Sequence, residues 1–301
     1  MTLEQLRIFI AVAERQHVTR AAEALHLTQS AVSSAITNLE GRHRVALFDR
    51  VGRNVVLNPA GEAFLVEARG VLARAAAAEA ALTDLSGLAR GRLAIHASQT
   101  IASYWLPKRL AAFHRAHPGI ELAVAIGNTA QVAKAVAEGA AELGLVEGET
   151  DEPALSRSVI DHDDLCLVVD PDHPWAGLEA TPDLTASEWV LREPGSGTRS
   201  SLEAALRERG LGIANLAVAM VLPDNEAVRG AVEAGAGAAV MARSVAAGSL
   251  ATGALRAVPM SLPARAYRLL RHNQRYRSKA GDAFLAVAGQ APGSDQVMLS
   301  D

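Results

Sequence analysis

Gln29, Ser30, Ser33, Ser34, Thr37 and Asn38 fall on one face of a helical repeat that has no charge before Glu40. A merely solvated helix face normally carries Lys and Glu, so this one is shaped for close approach to another surface. Its opposite face, Val32, Ala35, Ile36 and Leu39, is apolar and faces a core. Two shorter repeats precede it. Thr2 and Gln5 have capping-box spacing, and Leu6, Phe9, Ile10 and Ala13 form one stripe ending near Arg15. Val18, Ala21, Ala22 and Leu25 form the next, leaving Arg20 and Glu23 outside; His26-Leu27 breaks it, and Thr28 can cap the third helix. Two short helices joined by a tight turn are the spacing of a helix-turn-helix. Short polar side chains let such a helix lie against base edges in the major groove. DNA contact is therefore expected at Arg20, Thr28, Gln29, Ser30, Ser33, Ser34 and Thr37.

Short apolar runs at Ala46–Arg50 and Val55–Leu57 flank Val51-Gly52-Arg53-Asn54, which predicts a hairpin, a wing. Arg50 and Arg53 are placed there to meet phosphate or enter the minor groove. The chain's net charge is -4, yet positive charge is concentrated between Arg42 and Arg53. From Pro59 to about Gly87, Phe64, Ala68, Val71, Ala75, Ala78, Leu82 and Leu85 alternate spacings of four and three. This is a coiled-coil seam on a linker helix about 40 Å long, although a helix packed on its own domain would share the pattern.

After Gly91 the pattern changes to short apolar runs alternating with helical stretches, which predicts parallel sheets with covering helices. The strands are expected around residues 93–95, 122–126, 143–146, 165–169, 189–191 and 217–222, and the helices around 101–116, 130–138, 199–209 and 226–234. Polar residues gather where strand hands over to helix, the position at which open α/β sheets bind ligands. Effector contacts are expected from Ser98, Gln99 and Thr100, from Asn128 and Thr129, from Ser196, Gly197, Thr198 and Arg199, and from Asn225. Helix N-termini at these junctions favour an anion. Asp224 and Glu226 would oppose a multivalent anion if both faced the pocket.

Thr19-Arg20-Ala21-Ala22-Glu23-Ala24-Leu25, Thr28-Gln29-Ser30-Ala31-Val32-Ser33, Leu39-Glu40 and Leu47-Phe48-Asp49-Arg50 together resemble the LysR-type transcriptional regulators. The resemblance implies a winged helix-turn-helix over 1–58 and a linker and dimerisation helix over 59–88. It further implies a two-lobed effector domain over 89–290, similar to periplasmic binding proteins, and a tail over 291–301. Lobe I would comprise 91–160 and 266–290, and lobe II 161–265. A homodimer or homotetramer on an inverted-repeat promoter, contact with RNA polymerase and control by a small molecule are implied as well. Ala97-Ser98-Gln99-Thr100-Ile101, the run from Leu191 to Arg199 and Ala234-Gly235-Ala236-Gly237 most resemble regulators of sulfur assimilation and carbon fixation, which suggests a sulfur oxyanion or a phosphorylated metabolite. Where the family usually has an apolar residue followed by Gly, this chain has His43-Arg44.

Enzymatic readings fare poorly. Ser196 lacks the flanking glycines of a nucleophile elbow, since Pro194 and Thr198 stand in their places. No phosphate-loop Lys accompanies a glycine cluster, so no cofactor is expected. His114 with His117, or the polar turn expected at Asp161-His162-Asp163-Asp164, lacks a third ligand at metal spacing. Cys166 sits in an apolar run and reads as a buried strand residue. With no apolar run of about 18 residues and no basic leader, a cytoplasmic protein is expected. The rival reading is a solute-binding protein of the same two-lobed fold, which leaves the first 60 residues unexplained.

Overall fold

The computed structural model describes residues 1–52, 54–85 and 90–290. They form two compact units that divide after Leu85. In the first, α1 (Leu3–Arg15), α2 (Val18–Leu25) and α3 (Gln29–His43) pack around Ile8, Val12, Ala21, Ala22 and Val32. The expected capping box is formed, with Gln5 N–H donating to Thr2 Oγ1 and Thr2 N–H to Gln5 Oε1. A hairpin of β1 (Phe48–Val51) and β2 (Asn54–Leu57) follows, pairing Phe48 with Leu57 and Val51 with Asn54.

The long helix α4 (Pro59–Leu85) corrects part of the expected seam. Phe64 packs on Phe9 with ring centroids 4.9 Å apart, and Ala68 joins Leu6, Leu39 and Leu47. These two positions belong to the unit's own core, while Val71, Leu82 and Leu85 stay exposed at 40%, 70% and 85%. The heptad spacing runs through buried and exposed positions on one stripe, and sequence cannot separate them. Gly87, the expected end of the helix, lies outside the described residues.

The first three helices end on residues in the left-handed region, Gln16 (φ 49), His26 (φ 55) and Arg44 (φ 54). Arg44 thus takes the turn expected to need glycine, its N–H closing on the carbonyls of Glu40 and Gly41.

In the second unit, lobe I opens with β3 (Gly91–Ser98), a π-helical turn at Ile101–Trp105 and α5 (Leu106–Ala116). It continues with β4 (Ile120–Gly127), α6 (Thr129–Glu138), β5 (Leu143–Val146) and β6 (Leu155–Asp163). Lobe II runs through β7 (Leu165–Val169), β8 (Glu188–Arg192), α7 (Gly197–Arg207), β9 (Ala217–Leu222) and α8 (Asn225–Glu233). It ends with β10 (Ala239–Ala242), α9 (Arg243–Thr252) and β11 (Arg256–Val258). The chain then returns to lobe I as β12 (Arg265–His272) and α10 (Lys279–Gln290).

The sheets are mixed rather than parallel. Lobe I has the order β4-β3-β5-β12-β6, in which β3 runs parallel to β4 and β5 but β12 is antiparallel to β5 and β6. Lobe II has an antiparallel β10-β7-β11 sheet beside a parallel β8-β9 pair. The unexpected strands are β6, β10, β11 and β12. Arg265, Arg268 and Arg271 interrupt the apolar signal of β12, and β11 is three residues long, so neither shows a recognisable period. Asp161–Asp163, expected as a polar turn, is instead the end of β6. Cys166 is buried in β7, and burial pushes its thiol up to about 11. No described helix is long and apolar enough to cross a membrane, and no described His, Cys, Asp and Glu residues cluster to hold a metal ion.

Candidate DNA-reading face and effector cleft

Thr28 caps α3 by accepting the Ala31 N–H at 3.2 Å, and its hydroxyl lies 3.0 Å from Ser30 Oγ. Beyond this cap Gln29, Ser30, Ser33, Ser34 and Thr37 are exposed along the helix, with Arg20 exposed on α2, while Val32 and Leu39 are buried behind them. The face therefore presents donors and acceptors with no side-chain bulk in front. Arg50 is exposed on β1; Arg53, the other wing residue expected at DNA, lies outside the described residues. Glu40, which sequence reasoning passed over, fixes the wing. Its Oε1 accepts the Leu47 N–H at 2.7 Å and the Phe48 N–H at 3.3 Å, tying the hairpin to α3.

In the second unit three of the four junctions converge on a cleft between the lobes, lined by Ser98, Gln99 and Thr100, by Gly127, Asn128 and Thr129, by Glu147 and Arg192, and by Ser196, Gly197 and Thr198. The space between these residues, counted with its open mouth, is about 190 Å³. The lobes meet backbone to backbone beside it: a Cβ on Gly197 would lie 2.9 Å from Gly148 N, and one on Gly148 3.1 Å from Gly197 Cα. Side chains also bridge the lobes. Asn225 donates its N–H to Gln99 Oε1 at 2.7 Å and its amide to Thr100 Oγ1 at 3.1 Å, and Asn128 Nδ2 donates to Glu193 Oε1 at 3.1 Å. Tyr104 donates to Glu226 at 2.5 Å; burial and then this bond push its phenol up to about 12.

The LysR substrate binding domain model matches residues 86–292, and the model of the bacterial regulatory helix-turn-helix proteins of the lysR family matches residues 3–62. The chain belongs to the LysR family. It is a transcriptional regulator with a helix-turn-helix and an effector-binding domain, and the solute-binding reading falls away. CysL of Bacillus subtilis, an HTH-type transcriptional regulator, is 35% identical over 247 residues, 81% of this chain and 82% of the relative. A RuBisCO operon transcriptional regulator of Allochromatium vinosum is 35% identical over 243 residues, 80% and 79% of the two chains. These names match the resemblance to sulfur and carbon-fixation regulators. Full-length CbnR complexed with its target DNA shares the fold, with a TM-score of 0.66 at 23% identity over 96% of this chain and 99% of that one.

Within this LysR-type cleft the polar groups differ from expectation in three ways. Arg199 turns away, its Nε held 2.9 Å from Glu203 and its Nη1 3.0 Å from the Arg192 carbonyl, because one helical turn places Glu203 beside it. Asn225 joins the lobes rather than lining the cavity. Asp224 caps α8 by accepting the Ala227 N–H at 2.9 Å, and Glu226 is occupied by Tyr104 and Arg229, so these two carboxylates are not in the lining. The carboxylate that does line it, Glu147, directly follows β5 and was missed, as was Arg192 at the end of β8. Both occupy the same strand-end position as the expected residues, and a search for charged groups at every strand end would have found them. Ser98 Oγ and Thr129 Oγ1 are buried in the lining, 3% and 4% exposed as residues, and have no hydrogen-bond partner among the described residues.

Proposed function

We propose that this regulator works as a homodimer or homotetramer joined through α4, reads an inverted-repeat promoter with α3 and the wing, and changes that binding when a small anion enters the lobe cleft. It acts in the cytoplasm and contacts RNA polymerase. Residues 1–58 bind DNA, 59–88 link and dimerise, and 89–290 sense; the expected tail, 291–301, lies outside the described residues. The observation carrying the effector reading is the pair of buried, unpartnered hydroxyls of Ser98 and Thr129 facing a cavity beside the N-termini of α6 and α7. A buried hydroxyl without a partner costs about 1–3 kcal/mol, which an anion accepting both hydrogen bonds would recover. At the first turns of α6 and α7 the Gln131 and Arg199 N–H groups are taken by the side chains of Asn128 and Ser196, and the N–H groups before them add to the pull on negative charge.

A thermal-shift panel of sulfite, sulfate, thiosulfate, phosphate and phosphorylated sugars on the full-length protein tests this reading. A true effector at a hundred times its Kd stabilises by about 2.7 kcal/mol. Ser98→Ala and Thr129→Ala should each weaken that ligand by roughly tenfold to a hundredfold. If no anion shifts the transition, the effector reading is wrong.

A further inference from the structure

Glu147 is 4% exposed, lines the cleft, and accepts no hydrogen bond among the described residues, although its charge acts on Arg265 without direct contact. The cations around it are already committed. Arg192 holds Glu193, with Nε 2.8 Å from Oε2 and Nη2 3.1 Å from Oε1, and also donates to Asn225. Arg265 grips Asp163 with Nε 2.8 Å and Nη2 2.6 Å from the two carboxylate oxygens, and gives its remaining Nη1 to Thr198 at 2.9 Å. Tyr267 donates to the same Asp163 at 2.9 Å. Each guanidinium thus has its own hydrogen-bonded carboxylate, and Glu147, within electrostatic reach of Arg265 but not bonded to it, adds a further carboxylate to a cavity where Ser98 Oγ and Thr129 Oγ1, without partners among the described residues, and the helix N-termini suit an anion.

An ionised carboxylate can only accept hydrogen bonds, and so can a fully deprotonated oxyanion. Placed together in this small cleft they repel and leave each other's lone pairs unsatisfied. An oxyanion that keeps one acidic hydrogen resolves the conflict. Its O–H donates to Glu147 in a charge-assisted bond, and its remaining oxygens accept from Ser98, Thr129 and the first turns of α6 and α7.

We infer that Glu147 is the specificity-determining acceptor of the cleft and that the effector is a small oxyanion bound in a proton-bearing form. This rests on the effector reading above. A site built to bond a ligand hydroxyl discriminates strongly against the analogue without it, because the site's own buried group is then left unpaired. Selection here works by rejection: sulfate, which carries no proton near neutral pH, is excluded while similar ions that retain one enter.

Calorimetry on the full-length protein with sodium sulfite, sodium phosphate and sodium sulfate at neutral pH tests this. Sulfite or phosphate should bind the wild type at least ~10-fold more tightly than sulfate. Glu147→Gln keeps the shape but can donate, so it should gain at least ~10-fold in sulfate affinity and lose the preference. Equal wild-type affinity for all three ions, or an unchanged preference in Glu147→Gln, overturns the role of Glu147 and leaves the effector reading standing. Wild-type protein that binds none of the three overturns the oxyanion proposal, and the panel of other anions then decides the effector reading. If Glu147→Gln does not fold, the wild-type comparison decides alone.

Discussion

Arg265 and Asp163 face each other as paired residues of β12 and β6, joined by two hydrogen bonds of 2.8 and 2.6 Å where the chain crosses between the lobes. Burial works against the Arg265 charge, but the hydrogen bonds to Asp163 and the charges of Glu147 and Asp163 outweigh it and hold the group protonated. Its third contact, to Thr198, reaches the cleft, so the hinge and the effector site share a side chain.

Asp163→Ala should therefore destabilise the effector domain by about 3–5 kcal/mol, because it strands a buried guanidinium. Replacing both partners, Asp163→Leu with Arg265→Met, should recover most of that loss. Denaturant unfolding of the two variants measures it. A single-mutant loss under about 1 kcal/mol would show that water reaches Arg265.

On the reading helix, Ser33→Glu should abolish operator binding without unfolding the domain, since the residue is exposed and backed by Val32 rather than packed itself. A carboxylate there meets phosphates and base acceptors. Gel-shift titration decides the matter, and unchanged promoter affinity would remove this face from DNA contact.

Arg44 holds a left-handed backbone at φ 54. That conformation costs a residue with a Cβ about 1–2 kcal/mol, whereas glycine there adds about 0.5–1 kcal/mol of unfolded-state entropy. Arg44→Gly should thus stabilise the domain by several tenths of a kcal/mol to about 1 kcal/mol, and Arg44→Val should destabilise it. Melting temperatures read the sign, and a loss in Arg44→Gly would mean that the arginine side chain matters more than the strain.

His173 is pushed below the ordinary imidazole value by burial, with the Asp170 charge opposing. Its Nδ1 accepts the Trp175 N–H at 3.1 Å, so the ring is neutral with its proton on Nε2, 2.9 Å from Ser187 Oγ. As pH falls below about 6.5 the unfolded chain takes up this proton before the folded one, so stability present at neutral pH declines. His173→Asn, which preserves the acceptor, should flatten that decline. Parallel losses in variant and wild type between about pH 6.5 and 5 would assign the acid sensitivity to other groups.

Local chemistry was enough to determine the three helices that open the first unit. Capping at Thr2 and Thr28, apolar periods through Leu6, Ala21 and Val32, and the uncharged face from Gln29 to Thr37 each depend on neighbours within one or two helical turns. The strand-end junctions were legible for the same reason, and they led to Ser98, Asn128, Ser196 and Thr198 in one cleft. Tertiary structure alone decided the rest. The pairing of β12 with β5 and β6 brings together residues more than a hundred positions apart, and no periodicity records it. Only the folded lobes distinguish Arg192, committed to Glu193, and Arg199, drawn off by Glu203, from Glu147, left facing the cavity with no hydrogen-bond donor among the described residues. Each has the charge its sequence gives it, but whether that charge is free to meet a ligand depends on which opposite charge the fold sets beside it.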